Sequence, residues 1–321
     1  MSGRAIARRQ RGVALITAVV LVALATVVAA AIAFDTALSA RRGGGAAAQD
    51  QAMLLAGAAE ALAAKVLNDA LKDPGAQLHP AQTWAQPIGP VEVLPGALLQ
   101  AQLVDLQGRF NLNSLVDADG VRDEVAVGVF ERLLEGVGVE RDWATAMVDW
   151  IDRDLNPGPG GAEDDLYSSE QPGYRPPNRP VTSPSELLAL KGFGAERYAK
   201  LAPYVTALPR GAALNLCTAP GVLLDALTDE KQWAGAGDAL ARNRAGKCFP
   251  RIEDFRNFFS NPGQFQLIQN SLGIGQTSSH FQLRSLAAIG TSEFALYSLL
   301  RHEGAAAGPP AVRVISRGFT E

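Results

Sequence analysis

The longest apolar run of the chain lies close to its N-terminus. Residues 13–34 are 22 consecutive uncharged, mostly apolar positions. As a helix rising about 1.5 Å per residue they would span roughly 33 Å, enough to cross the hydrocarbon core of a bilayer. Four arginines and no acidic residue precede this run. By the positive-inside rule, the pattern predicts a single-pass protein with a cytoplasmic N-terminus and its bulk across the membrane.

A cleavable secretory signal is the alternative interpretation of this run. The apolar core of such a signal has about 7–15 residues and ends at a small-residue cleavage site. The run here is longer, although Ala29, Ala30 and Ala31 would suit such a site. The length therefore favours a retained membrane anchor.

Apolar residues return at helical spacing over residues 46–71, and Asp73-Pro74-Gly75 ends that pattern. The three glycines at 43–45 are expected to loosen or kink the helix between the two segments, because glycine is a poor helix former. The pattern thus predicts one long helix, half in lipid and half packed on a globular head.

Strand patterns occur at both ends of the head. Residues 91–104 read as two strands around the turn at Pro95-Gly96. Residues 280–287, 292–300 and 311–315 alternate or run apolar, and we expect them to complete the sheet that begins near Val91. Roughly residues 117–265 are then left as a mainly helical insertion.

The insertion contains two pairs of similar segments. Residues 110–115 and 214–219 share an Asn-Leu-x-Ser/Thr core, in which Ser114 and Thr218 are expected to cap helices. Residues 133–138 and 188–194 each place a Gly-x-Gly turn between predicted helices. The second hairpin resembles a helix-hairpin-helix, which in other proteins grips a DNA phosphate through backbone amides; a packing motif is the alternative.

The charge distribution decides against nucleic acid. The whole chain has a formal net charge of −4, with 29 basic and 33 acidic residues. Beyond the four N-terminal arginines, 25 basic residues face the same 33 acidic ones, a net of −8. Affinity for nucleic acid comes largely from neutralising phosphates, so an acidic body without a basic patch is not expected to bind it.

The two cysteines, Cys217 and Cys248, are a candidate disulfide if the body lies in an oxidising compartment. Such a bond would close a loop of about 30 residues and stabilise the fold by roughly 3 kcal/mol. Two unpaired buried thiols are the alternative. Neither cysteine has a Cys or His at metal-ligand spacing, so zinc is not expected.

Acidic residues are densest at 149–154 and 161–167, where six carboxylates fall within 17 residues around a Pro/Gly-rich loop. Hard cations such as Ca²⁺ take six to eight oxygen ligands, often from a flexible loop. The spacing is not that of an EF-hand. A solvated acidic loop and a catalytic carboxylate pair are the alternatives, but three scattered histidines and no nucleophile–base pattern argue against an enzyme.

The junction between the arginines and the apolar run resembles the recognition site of type IV prepilins. Residues 9–16 read Arg-Gln-Arg-Gly-Val-Ala-Leu-Ile. The resemblance implies cleavage after Gly12 by a prepilin peptidase, which leaves Val13 as the first, methylated residue of the mature chain. Most such proteins carry glutamate at mature position five, where this chain has Thr17. A subunit without that glutamate is expected to sit on top of a fibre.

Together with Gly-Arg-Phe-Asn-Leu-Asn-Ser-Leu (108–115), Asp-Trp-Ile-Asp-Arg-Asp (149–154), Gly-Ala-Glu-Asp-Asp-Leu-Tyr (161–167) and Ser-Glu-Leu (185–187), the leader makes the chain similar to the minor pseudopilin K family of type II secretion systems. The resemblance implies an α+β fold with a type IV pilin-like helix and antiparallel sheet, a large mainly helical insertion, and bound calcium. The candidate calcium ligands are Asp152, Asp154, Glu163, Asp164 and Asp165.

The resemblance also implies a role and partners. A member of this family is expected to join minor pseudopilins I and J, and also H and the major pseudopilin G, at the tip of a short periplasmic fibre anchored in the inner membrane. There it primes assembly and helps to export folded proteins. A membrane-tethered helix-hairpin-helix protein of DNA uptake and a calcium-dependent periplasmic hydrolase are the competing functions.

The expected organisation follows from the leader and these patterns. It comprises a cleaved leader (1–12), a transmembrane helix (13–34), a pilin-like helix with the first strands (35–116), the helical insertion (117–265) and the C-terminal strands (266–321).

Overall fold

The computed structural model describes residues 7–73, 75–228, 233, 248–249, 251–304 and 311–319, with side chains from residue 13 onward. Its first element is helix α1, Ala7–Ala70, which runs for 64 residues without interruption. The three glycines at 43–45 do not interrupt it, and the expected loosening or kink there stays a prediction. A glycine penalty of about 1 kcal/mol per residue is too small to interrupt a helix that is already propagating from both sides.

Five antiparallel strands form the sheet of the head in the order β1-β2-β7-β8-β9. The strands are β1 (Ile88–Leu94), β2 (Ala97–Asp105), β7 (His280–Ile289), β8 (Ser292–Glu303) and β9 (Ala311–Gly318). Strand β2 pairs with β7 in continuous register from Ala97–Ile289 to Asp105–Phe281. The expectation that the C-terminal strands complete the sheet begun near Val91 is confirmed, and so is the α+β class.

The C-terminal half of α1 packs on one face of this sheet. Alternate residues of β2 are buried there, as a strand with one face on a core requires. Leu67 of α1 is fully buried against the same core as Leu103 and Leu283. Trp84 closes the core in an edge-to-face contact with Phe281, at 5.6 Å between ring centroids. Burial of one apolar face on the other is what joins the helix to the head.

A buried carboxylate also ties α1 to the last two strands. Glu60 accepts hydrogen bonds from Ser298 Oγ at 2.6 Å and from Arg317 Nε and an Arg317 terminal nitrogen at 2.8 and 2.7 Å. Burial alone raises the pKa of Glu60, but the bonds from Arg317 and Ser298 outweigh burial, and the pKa lies below its usual value. The folded state therefore favours the ionised carboxylate.

We expect Glu60→Gln to destabilise the protein by about 1–3 kcal/mol at neutral pH, because it leaves a half-exposed guanidinium without its charged partner. Because the folded-state pKa is lowered, this contribution is present above the unfolded pKa of about 4.3 and is lost as the pH falls through the folded pKa. Thermal melting of the full-length protein in detergent from pH 7 to pH 3 measures both effects.

The control for this prediction is Asp69→Asn, which removes the exposed ion pair with Lys65 on the same helix. Exposed pairs contribute about 0–1 kcal/mol, so this variant should melt like the parent. Equal melting of Glu60→Gln and the parent at pH 7 would contradict the assigned role of Glu60.

The residues between β2 and β7 form a second unit with its own core. Its helices are α2 (Glu124–Gly136), α3 (Trp143–Ile151), α4 (Asp164–Ser168), α5 (Gly194–Leu201), α6 (Gly221–Thr228), α7 (Ile252–Arg256) and α8 (Pro262–Leu272). Short 3-10 helices occupy Leu112–Leu115, Pro184–Ala189 and Ala202–Tyr204. Phe110 and Phe130 stack at 5.1 Å near the centre of this core.

The repeated Asn-Leu-x-Ser/Thr segments adopt matching conformations. Strand β3 (Phe110–Asn111) pairs in parallel with β4 (Val205–Thr206), and β5 (Leu214–Asn215) with β6 (Ile274–Gly275). The expected caps Ser114 and Thr218 are wrong. The asparagine at the start of each repeat does the capping, since its side-chain oxygen accepts from the amide two residues on, at 3.2 Å for Asn111 and 2.9 Å for Asn215.

The two Gly-x-Gly turns differ from each other. The first lies between α2 and α3, with Gly138 at a φ of +71°. The second, with Gly192 and Gly194 both at positive φ, follows a 3-10 helix rather than the expected α-helix. That 3-10 segment begins at Pro184. Ser183 is its N-cap and forms a capping box with Glu186. A helix-hairpin-helix in this region stays a prediction.

A disulfide within the insertion and a buried carboxylate between the sheet and the insertion stabilise this part of the fold. Cys217 and Cys248 form a disulfide, with Cα atoms 4.6 Å apart. Asp105, at the end of β2, is buried and accepts from Gln107 N (2.8 Å), Asn215 Nδ2 (3.0 Å), Thr218 Oγ1 (2.6 Å) and Ser278 Oγ (2.7 Å). Burial raises the pKa of Asp105, and these four hydrogen bonds oppose that shift.

Candidate functional site

The first carboxylates of the acidic loop lie at the C-terminal end of helix α3. Asp149 is buried in its last turn and accepts hydrogen bonds from the amides of Gly158 (3.1 Å) and Ala162 (2.8 Å) across the Pro/Gly-rich segment. A Cβ at Gly161 would lie 1.9 Å from Asp149 Oδ2, so glycine is required there. Asp149 therefore shapes the loop, a role that the sequence motif did not reveal.

Asp152 and Glu163 are the two buried carboxylates on which the site depends. Asp152 Oδ1 and both carboxylate oxygens of Glu163 are buried and have no hydrogen bond of ordinary geometry with any described residue. Burial, reinforced by the charges of Asp154 and Asp149, raises the pKa of Asp152 to about 7. Burial and the charges of Asp152 and Asp149 raise the pKa of Glu163 to about 7 as well.

Two further groups approach this pair. Asp154 is exposed at the mouth of the loop and accepts from the amide of Asn156 at 2.8 Å. Asn178 holds a left-handed conformation with a φ of 45°, and its side-chain amide donates to the carbonyl of Asp154 at 3.1 Å. The Asn178 oxygen is buried without a hydrogen-bond partner among the described residues. Unpartnered buried oxygens are costly unless a cation or water satisfies them.

The other two predicted ligands lie outside this cluster. Asp164 is half-buried and pairs with Arg175 at 3.5 Å, and Asp165 is exposed in the first turn of α4. The charges of Asp152 and Asp154 act on Glu163, so these three predicted ligands lie near one another, whereas Asp164 is engaged by Arg175 and Asp165 faces solvent.

The cluster suits a hard cation in its chemistry. Its free groups are carboxylate and amide oxygens, which are the ligands that Ca²⁺ prefers. A surface cavity of about 490 Å³, lined by Asp149, Asp152 and Asp154, gives access from solvent. Among the described residues, no three His, Cys, Asp or Glu side chains are yet gathered as closely as a bound metal requires. A cation would have to draw the carboxylates inward.

Aromatic residues support the loop from below. Tyr167 of α4 is fully buried and contacts Trp150 at 5.3 Å and Tyr174 at 5.2 Å between ring centroids. Burial raises the pKa of Tyr167 to about 12, so its hydroxyl stays neutral. This packing fixes the start of α4, and with it the backbone on which Glu163 stands.

The N-terminal site residues lie in α1. Gly12 and Val13 are both helical. The hydroxyl of Thr17 donates within the helix to the carbonyl oxygens of Val13 (3.1 Å) and Ala14 (3.0 Å), so this position presents no charge at the helix surface. Within the described residues, α1 is the single helix long and apolar enough to cross a membrane. No residue of its most apolar stretch is buried within the protein.

Comparison with known proteins places the whole chain in one group. Residues 108–210 match the family model described as type II secretion system (T2SS), protein K. The chain is 34% identical to type II secretion system protein K of Pseudomonas aeruginosa over 92% of this chain and 89% of the relative. It is 31% identical to type II secretion system protein K of Pectobacterium carotovorum over 97% of each.

A solved structure has the same fold. It is a chain of the GspK-GspI-GspJ complex from the type 2 secretion system of enterotoxigenic Escherichia coli, with a TM-score of 0.71 and 27% identity over 85% of this chain and 96% of that chain. The chain therefore belongs to the type II secretion system protein K family of minor pseudopilins.

Proposed function

We propose that this minor pseudopilin occupies the tip of the pseudopilus, in a complex with minor pseudopilins I and J. The observation that carries the proposal is the likeness to a chain of the GspK-GspI-GspJ complex. The uncharged Thr17 supports it, because a subunit without an acidic side chain there has nothing to neutralise the terminal amine of a subunit above. The wide insertion between β2 and β7 supports it as well, since so broad a head would clash with a subunit stacked above.

The same proposal includes the membrane anchor and its processing. Prepilin peptidase cuts after Gly12 on the cytoplasmic side, Val13 becomes the methylated N-terminus, and α1 holds the head on the periplasmic face of the inner membrane. An oxidising periplasm accords with the disulfide between Cys217 and Cys248. Contacts with H and with the major pseudopilin G follow from growth of the fibre beneath the tip.

We further propose that one calcium ion holds the acidic loop, with Asp152 and Glu163 as its central ligands and Asp154 at its exposed side. Their unpartnered oxygens and raised pKa values support this assignment. The ion would neutralise a crowded set of carboxylates and so order the loop. Its function is structural.

Cleavage and assembly are tested together in cells that contain prepilin peptidase and minor pseudopilins I and J. We expect mass spectrometry to find a product that begins at Val13, and an affinity tag on this chain to retain both I and J. In the Gly12→Val variant we expect the uncut chain, because a branched side chain replaces the residue before the scissile bond.

The matched control is Gly3→Val, a glycine-to-valine change in the leader away from the bond, which should leave cleavage intact. An uncut parent chain would contradict processing as a prepilin, and cleavage near Ala31 would contradict the retained anchor. Cleavage at Val13 without retention of I and J would contradict the tip complex alone. Salt-dependent binding of duplex DNA by the purified chain would favour a role in DNA uptake instead.

A further inference from the structure

A cleft of about 600 Å³ lies between the sheet and the insertion. Arg109 lines it from the turn after β2, and Arg284 lines it from β7. Tyr198 of α5 and the segment 205–208 form the opposite wall. The volume is within the range of ordinary ligand sites, about 300–1,000 Å³.

The charge of this cleft is opposite to that of the body. Two arginines line it, and none of its lining residues is acidic. The nearby Glu186 is already engaged, since it accepts from the amide of Thr182 at 2.7 Å within a capping box. In a head whose charge is otherwise net acidic, such a cationic cleft is a local exception that attracts anions.

Arg109 is the residue that lacks a partner. It is half-buried, and its guanidinium forms no ion pair or hydrogen bond with any described residue. Burial and the neighbouring charge of Arg284 lower the pKa of Arg109, while Asp105 opposes that shift. Asp105 attracts the Arg109 guanidinium electrostatically but forms no ion pair or hydrogen bond with it. The partly exposed guanidinium can therefore still pair directly with an anion that enters the cleft.

The turn that carries Arg109 is held in place. The Arg109 amide donates to the carbonyl of Leu106 at 3.2 Å. A Cβ at Gly108 would lie 2.6 Å from Thr218 Oγ1 and 2.9 Å from the Thr218 carbonyl oxygen, so the turn packs directly on the insertion. A preorganised arginine loses less freedom on binding than one on a mobile loop. The Gly-Arg pair of the 108–115 motif thus has a fixed backbone, from which the Arg109 side chain extends into the cleft.

We propose that this cleft binds a carboxylate on an acidic peptide segment, with Arg109 as the main ligand and Arg284 beside it. The planar guanidinium matches a carboxylate through two parallel hydrogen bonds. The accessible apolar lining residues Ala199, Ala202 and Pro203 provide contacts for the aliphatic neighbours of an acidic side chain. Such a segment on a partner protein would join the sheet and the insertion across the cleft.

The test uses the full-length chain in detergent and a fluorescent, end-blocked peptide, Ala-Leu-Glu-Leu-Ala, with Ala-Leu-Gln-Leu-Ala as its neutral counterpart. Fluorescence anisotropy should show the acidic peptide bound at least about tenfold more tightly. Arg109→Gln should weaken binding about tenfold or more, and Arg109→Lys by less, since it keeps the charge but loses the planar fork. Sodium acetate, against sodium chloride at equal ionic strength, distinguishes a free carboxylate from one that needs the peptide.

Arg256→Gln, which removes an exposed arginine on α7, is the matched control and should bind like the parent. Arg284→Gln serves as a second variant if Arg109→Gln melts at a lower temperature. Displacement by acetate would support a site for carboxylates in general. Equal binding of both peptides, or unchanged binding in both a folded Arg109→Gln and Arg284→Gln, would overturn the proposal.

Discussion

Replacing Asp105 by alanine should destabilise the folded protein by about 3–5 kcal/mol. The carboxylate satisfies four donors, one from the adjoining turn and three from two distant parts of the chain, and its loss leaves buried amide and hydroxyl groups without an acceptor. Each such group costs about 1–3 kcal/mol, and partial rehydration limits the sum. For a chain of this size the melting temperature should fall by roughly 10 °C or more.

Differential scanning fluorimetry of the full-length protein in detergent measures this effect. Asp119→Ala, an exposed aspartate on the loop before α2, is the control and should melt within about 2 °C of the parent. Asp105→Asn should lie between the two, because the amide keeps one acceptor but presents a donor to Thr218 or Ser278. If Asp105→Ala lost less than about 1 kcal/mol, the buried network would not be what joins the insertion to the sheet.

Calcium should produce the second large effect. At a calcium concentration one hundred times the dissociation constant, the folded state gains about 2.7 kcal/mol by mass action. The melting temperature of the full-length protein should therefore rise by roughly 5–10 °C when millimolar calcium replaces chelator. Magnesium at equal ionic strength should do much less, because Mg²⁺ demands near-ideal octahedral geometry and gives up its bound water reluctantly.

Neutral variants of the proposed calcium ligands should change the melting temperature differently in chelator and in calcium. In chelator, Asp152→Asn and Glu163→Gln relieve repulsion among buried carboxylates and should melt at or above the parent temperature. In calcium, both should lose most of the stabilisation, because a ligand has been removed.

Asp165→Asn is the matched control for these variants, since its carboxylate lies outside the cluster and the calcium response should persist. A parent protein that melts identically in calcium and chelator would refute the site. A full calcium response in Asp152→Asn would refute its assigned ligands.

Local periodicity was sufficient to predict the long helix and the strands, because each is encoded by its own spacing of apolar residues. Alternation even placed Asp105 on the same face as Leu99, Ala101 and Leu103, which are all buried. What the alternation did not contain was the set of donors around Asp105. Three of the four donors come from residues more than 100 positions away, so only the tertiary fold could reveal them.

The acidic loop shows the same division between local and tertiary information. The density of carboxylates predicted a cation site, but their sequence spacing did not distinguish Glu163 from its neighbours Asp164 and Asp165. Glu163 is buried at the position just before α4 begins. Asp164 is half-buried and Asp165 is exposed, both in the first turn of that helix. The caps at Asn111 and Asn215 were missed for a related reason: asparagine, serine and threonine all cap well, and backbone conformation selects among them.

Strands β2 and β7 are hydrogen-bonded neighbours, with Asp105 opposite Phe281, yet more than 170 residues separate them along the chain. The whole insertion thus leaves and re-enters the sheet at a single gap about one strand spacing wide, the place that a tight turn would fill in a plain hairpin. The insertion is therefore connected to the sheet at one place only. Its size and surface are free to diverge between relatives without disturbing the register of the strands, provided that the few contacts at its stem are kept.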